Sequence, residues 1–258
     1  LWKIQKPGLK TSYLYGTIHV KDPRVLNLPK PVVVALNSSK NFVMESITTP
    51  ELDMELSQKM FSATDNSLSA SLDQALINKT TYILSLHNVP QALVGIIQPW
   101  AAYLMMNYPP GNGIFLDKKL LNMAIDRKIK TYGLESLDEQ LSIFTELNHT
   151  EQIQLLLDTV CNYDQIQEDL KRMIQLYLQK HLNKLAHFSN QYTLNDAPLY
   201  KKLATKLIVE RNQRMARRIV PYLEDDASFI AIGALHLSGE DGVLSLLQNL
   251  SYTITPVY

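Results

Sequence analysis

Apolar positions alternate at the two ends of the chain and recur at helical spacing between them. In "LWKIQKPGLKTSYLYG", Trp2 and Ile4, then Tyr13 and Tyr15, repeat every second residue. That period predicts two strands joined by a turn at Lys6-Pro7-Gly8. Pro31 opens "PVVVALNSS" as a short helix, and "NFVMES" follows as a third apolar strand. From about 51 to 126 the spacing turns helical, through Met54, Leu56, Met60 and Phe61, then "SLDQAL", then an apolar run at 92–106 read as buried helix. After the breaker "NYPPGNG" comes the helical "IFLDKKLLNMAIDRK", and "IKTYGLE" is another strand. Helices resume at Ser136, which has capping-box spacing to Glu139, and continue through 150–186 and 197–223. The chain closes with strand "FIAIG", helix "GVLSLLQNL" and strand "YTITPVY".

This rhythm predicts an α/β (α+β) fold in one domain over 1–258. Strands mainly in 1–46, 129–135 and 228–258 build the sheet, and a largely helical middle section, about 51–126 and 136–223, is laid over it. That section offers either a lid over a site or the face of a homodimer.

With 258 residues, 46% of them hydrophobic, the chain can bury a sizeable core. Its 25 basic and 25 acidic residues cancel, so no field for nucleic acid or an anionic surface is expected. The run at 92–106 is broken by Gln98 and Pro99 and falls short of the roughly 20 apolar residues of a membrane span. The single cysteine, Cys161, excludes an internal disulfide and reads as a small core residue in a helix. A start at Leu1 rather than Met reads as export to a periplasm, envelope or exterior with a signal segment removed, although a disulfide-free chain suits the cytoplasm equally. Asn-x-Ser/Thr sequons begin at Asn37, Asn78, Asn148 and Asn249, and matter only in a eukaryotic secretory setting.

Candidate chemistry gathers where strands end. "SYLYGTIH" and "FIAIGALH" each carry an apolar run to a Gly and, three residues later, a His: Gly16 with His19, and Gly233 with His236. Glycine permits a sharp exit or a close backbone approach, and the carboxyl ends of strands are where open α/β sheets form ligand crevices. Neutral imidazole binds Zn, Co, Mn or Fe and moves protons near neutral pH. Either His taken alone also fits an ordinary hydrogen-bonded structural residue. Glu45 ends a third strand, so two His and a carboxylate at three strand ends could form an open metal site or an acid/base cluster. No His-Glu-x-x-His is present. His87, His149, His181 and His187 lie in helical or polar stretches and read as solvated or capping residues, and Arg214, Arg217 and Arg218 as a solvated helix face.

Together "SYLYGTIHV", "FVMES", "GLESLDEQ", "VERNQRMARRI" and "FIAIGALHLSGEDGVLSLLQNLSYTITPV" resemble the TraB/GumN family, which includes the Tiki proteases. Pro99-Trp100 and "GIFLDKKLLNMA", with Gly113, Asp117 and Ala124, extend the likeness across the chain. The resemblance implies a fold akin to erythromycin-esterase and ChaN-like proteins and a metal-dependent peptidase using both histidines and a Glu, which fall here on His19, His236 and Glu45. It also singles out Glu135 of "GLE" and Arg211 of "RN". Arg211 could hold a carboxylate or an oxyanion, or pair with an acidic neighbour on a helix surface. The chain departs from the pattern at Glu45-Ser46-Ile47, where Tiki-like sequences tend to read Glu-Leu-Asp. The expectation is a hydrolase of peptide or protein substrates with a divalent metal (Mn, Co or Zn) on His19, Glu45 and His236. Glu135 or Glu45 would move the proton and Arg211 would steady the developing charge. The alternative is a non-catalytic peptide- or haem/iron-binding protein using the same crevice.

Overall fold

The computed structural model describes residues 1–47, 49–61, 68–193 and 198–257. The expected middle helices therefore lie partly outside the described residues at 62–67 and 197, as does Tyr258 of the last strand. The chain divides into two compact units, residues 1–47, 114–136 and 173–258 in one and residues 48–113 and 137–172 in the other.

The first unit is mixed α/β, with a sheet built from both ends of the chain. Its strands are β1 (Trp2–Gln5), β2 (Ser12–Thr17), β3 (Asn41–Met44), β4 (Lys130–Gly133), β5 (Ser228–Gly233) and β6 (Thr253–Pro256), in the order β4-β3-β5-β2-β1-β6. The first two pair antiparallel across the expected turn, where the Leu9 N–H donates to Lys6 O at 3.1 Å and Gly8 takes φ +84°, a conformation costly for other residues. Strands β4, β3, β5 and β2 run parallel, while β1 and β6 add an antiparallel edge. All four parallel strands therefore end on one side of the sheet.

Each sheet face is covered by helices because successive strand residues point to opposite faces. Tyr15, Phe42, Met44, Phe229 and Ala231 pack with Val32, Leu36, Leu120 and Ala124 from the helices Lys30–Ser38 and Leu116–Asp126. Leu14, Val43, Ile230 and Ile232 pack on the other face with Met215, Ile219 and Leu223 of the helix Arg211–Asp225 and with Val243 and Leu247. Burial on both faces is what makes the central strands almost wholly apolar.

The second unit is helical. The run at 92–106 is not one helix, as expected, but two, Gln91–Val94 and Pro99–Met106. Pro99 excludes the α region for the residue before it, and Gln98 is extended at φ −72°, ψ 143°. Pro99–Met106 packs against His149–Cys161, which carries a closed capping box between Asn148 and Glu151. Cys161, expected in the core, is exposed: it ends that helix one residue past Val160, which takes the buried position. Among the described residues no helix is long and apolar enough to cross a membrane.

Candidate active site at the carboxyl edge of the sheet

His19 follows β2, Glu45 follows β3, Glu135 lies two residues beyond β4, and His236 follows β5 in a short 3-10 turn, Ala234–His236. The parallel strands thus deliver all four to one edge. Arg211 arrives from the opposite direction, at the start of the helix Arg211–Asp225 and directly after a π-helical stretch, Thr205–Glu210. A wide turn of this kind changes the phase of a helix, and here it is followed by two buried polar residues, Arg211 and Asn212.

The motif glycines act through close approach rather than through a left-handed turn, since Gly233 has φ −54°. A Cβ on Gly233 would stand 3.1 Å from Glu45 Oε1 and 3.3 Å from His236 Cδ2. A Cβ on Gly16 would meet Leu237 Cδ1 at 2.8 Å and the Ala234 backbone at 3.3 Å. One glycine therefore leaves room for the site and the other for the turn carrying His236.

Glu45 is held from two sides. Its Oε1 accepts from the Gly233 N–H at 2.6 Å, its Oε2 accepts from Arg211 Nη2 at 2.5 Å, and His236 Nε2 lies 3.9 Å from Oε1. Burial opposes its ionisation, but His236, Arg211 and His19 with the Gly233 amide outweigh burial and lower its pKa to about 2. Arg211 also grips Glu135, with Nε 3.0 Å and Nη2 2.7 Å from Oε2. Burial disfavours the guanidinium charge, and Glu45 and Glu135 restore it, raising its pKa above the ordinary value.

Each histidine has its Nδ1 tied to a side-chain oxygen. His19 Nδ1 lies 2.6 Å from Asp117 Oδ2, and Asp117 Oδ1 accepts from the Thr17 hydroxyl at 2.6 Å. His236 Nδ1 lies 2.7 Å from Asn212 Oδ1, and Arg211 Nη1 reaches its Nε2 at 3.3 Å. Fixing Nδ1 in this way leaves Nε2 as the nitrogen for a ligand or a proton, although in His236 a ligand would have to displace Arg211 Nη1 from it. The two differ in charge. Burial lowers His236 to about 4, prevailing over the attraction of Glu45, so it is neutral at pH 7. Burial acts downward on His19 too, but Asp117 and Glu45 overcome it and raise the pKa to about 9.

Two of these partners, Asp117 and Asn212, carried no assigned role in the sequence. Arg214 was expected on a solvated face. It instead donates through Nη2 to Glu135 Oε1 at 2.8 Å, because it lies one helical turn beyond Arg211 on the same side. Arg218 likewise donates to Leu134 O at 2.7 Å, while Arg217 is exposed. Glu135, whose side chain is fully buried, has both oxygens engaged by the two guanidiniums. Of the remaining histidines, His87 ends the helix Gln74–Leu86 and contacts Tyr163 Oη at 2.8 Å, and His149 contacts Ser71 Oγ at 2.9 Å. His181 and His187 are exposed.

The donor set suits a divalent ion in kind: two imidazoles with oriented Nε2 atoms and an ionised carboxylate, with Asp117 and Asn212 behind them. Arg211 already uses one Glu45 oxygen, and among the described residues no group of three His, Cys, Asp or Glu side chains forms a ready cage. Taking up an ion therefore calls for Arg211 to yield that oxygen.

Among known proteins the chain is similar to Metalloprotease TIKI2 of Danio rerio, at 24% identity over 310 aligned positions covering 98% of this chain and 60% of that protein. It is also similar to Metalloprotease TIKI2 of Xenopus tropicalis, at 26% identity over 165 positions covering 54% and 31% of the two chains. The chain thus spans less than two thirds of the length of the curated relatives it matches. No solved structure matches it. The description of the TraB/PrgY/gumN family matches residues 1–256, so the chain belongs to that family.

Proposed function

We propose that this chain is a metal-dependent hydrolase that cleaves peptide bonds in peptide or protein substrates, with His19, Glu45 and His236 as the ion's ligands. The observation that supports this best is the pair of imidazoles at neighbouring parallel strand ends, each with Nδ1 held by an acceptor, with one ionised carboxylate at the end of the next strand. The similarity to proteins named metalloproteases agrees with it. A divalent ion bound there would act as a Lewis acid, polarising a carbonyl and acidifying a water.

The chain's own groups then have distinct roles. Glu45 is the carboxylate left to meet the ion, since Glu135 is committed to Arg211 and Arg214. Arg211, freed in part from Glu45, presents a fixed fork of donors to the oxyanion that develops. Glu135 and Arg214 position Arg211. Asp117 and Asn212 fix the two rings.

A metal-free reading, in which His236 is the general base, draws support from the guanidinium that already neutralises Glu45 and from the neutral state of His236. One experiment separates the two: elemental analysis of chelator-free protein reconstituted with Mn, Co or Zn, comparing wild type with His19→Ala and His236→Ala. The metal reading expects a stoichiometric ion lost in both variants and peptide hydrolysis that stops with chelator. Hydrolysis that persists without any ion would establish the second reading instead.

A further inference from the structure

A cavity of about 130 Å³ lies beside the proposed centre on the same edge of the sheet. Its wall includes Trp2, Gly16, Val25, Leu182 and Ala234. Two of these belong to the paired motifs: Gly16 is three residues before His19, and Ala234 sits between Gly233 and His236. The strand order explains the placement. The first strand runs antiparallel to β2, so its beginning at Trp2 lies beside the carboxyl end of β2. Tyr177 also lines it, donating from its hydroxyl to Gly16 O at 2.8 Å. The size suits one large apolar side chain, and the wall is mostly hydrocarbon and aromatic ring. At the rim stand three exposed basic residues, Arg24, Lys180 and His181, with Arg24 also paired to Asp22 at 2.6 Å.

We infer that this cavity is a specificity subsite that takes a large apolar side chain of a peptide, with a carboxylate next to it facing the basic rim. The inference rests on the peptide-hydrolase reading for the identity of the ligand. A substrate chain crossing the edge of the sheet would pass His19 and His236 and reach the cavity through Gly16 and Ala234.

Trp2 makes the site observable without catalysis. The experiment titrates the full chain with N-acetyl-para-bromophenylalanine, a heavy-atom quencher, and follows tryptophan fluorescence, with Trp2→Phe as the background from Trp100. Saturable quenching is expected, weakened roughly tenfold by Asn27→Phe, which fills the mouth from an exposed position, and also by Lys180→Glu. Arg217→Ala, at an exposed position outside the cavity wall, should leave it unchanged. Absence of saturable quenching, or wild-type affinity in either of those two variants, overturns the subsite. Peptides ending in an apolar–acidic pair then separate the two proposals. Binding without cleavage under any metal keeps the subsite and removes the hydrolase reading. Cleavage whose KM is indifferent to the apolar residue and to Asn27→Phe removes the subsite and keeps the hydrolase.

Discussion

The two Gly-x-x-His segments are alike in sequence and opposite in environment. His19 leaves 44% of its side chain exposed and faces a carboxylate, Asp117, whereas His236 is 7% exposed and faces a neutral amide, Asn212. The same ring is consequently raised to about 9 in one copy and lowered to about 4 in the other. Protonation is therefore decided by the charged neighbours that oppose burial, above all the residue behind the imidazole, which does not belong to the repeated pattern. A pair of this kind resembles an acid and a base set side by side, until an ion displaces the proton from His19.

The sharpest break in the comparison comes from Arg211. It bonds Glu45, Glu135 and His236 in a buried cluster. Arg211→Ala takes the guanidinium from buried Glu45 and leaves Glu135 with Arg214 alone, and is expected to cost about 3–5 kcal/mol in denaturant unfolding. Asp117→Ala, on the more exposed His19, should cost clearly less. Equal losses would mean that the two copies are supported alike.

The glycines come next. Gly16→Ala pushes against Leu237 and the Ala234 backbone, an overpacking expected to cost about 1–3 kcal/mol of stability. Gly233→Ala presses on Glu45 Oε1 and His236 Cδ2, so its main effect should fall on metal content and turnover. Thermal unfolding and elemental analysis on both variants read the difference. A purely structural role for both glycines would give the same melting loss and unchanged metal.

How much of this was legible in the chain follows from the range of each contact. Strands β1, β2, β3 and β5 and the two Gly-x-x-His motifs are local patterns, and a parallel sheet carries them to one edge without further information. The partners of the histidines are not local: Asp117 is 98 residues from His19, and Glu135 is 76 from Arg211. A trace of them was nonetheless present. Asp117 lies on the stripe of Leu120, Leu121 and Ala124, and Asn212 on the stripe of Met215, Ala216 and Ile219. A lone polar residue on the apolar face of a helix is paired when buried, which could have marked both. Arg214 gave no such sign, because its partner Glu135 comes from another part of the sequence. The break at Gln98 and Pro99 was legible in the chain, but it was weighed against a membrane span and not as the boundary between two helices.

Stability against pH sharpens the comparison further, because the two histidines tilt it in opposite directions. His236 has a folded pKa below the ordinary 6.5, so folding excludes a proton there, and its contribution makes the protein gain stability as pH rises from about 4 to 6.5. His19 has a folded pKa above it, so its stabilisation is complete below 6.5 and lost as pH rises through about 9. His236→Gln should flatten the lower arm of the profile and Asp117→Asn the upper one. Unfolding free energies at pH 4.5, 6.5 and 9.5, with the ring protons followed by NMR, test this. A single slope shared by both arms would refute the assignment of opposite charge states.

The smallest effect tests how far the support of the second copy extends along its helix. Arg214 is 26% exposed and shares Glu135 with Arg211, while Arg217, three residues on, is exposed. Arg217→Ala should stay within about 0.5 kcal/mol of wild type, as most surface changes do. Arg214→Ala removes one of two guanidiniums from a carboxylate that still keeps the other, so its stability cost should be about 1 kcal/mol, in the range of a single hydrogen-bonded contact. Its larger consequence would be positional: with Glu135 held by Arg211 alone, the guanidinium shifts toward Glu135 and its bond to Glu45 loosens. Turnover should then fall while KM holds, and Arg214→Lys should restore the charge without restoring the paired donors. If Arg214→Ala is as silent as Arg217→Ala in both stability and turnover, Arg211 is held by its own contacts, and the polar support of the His236 copy ends one helical turn earlier than the geometry indicates.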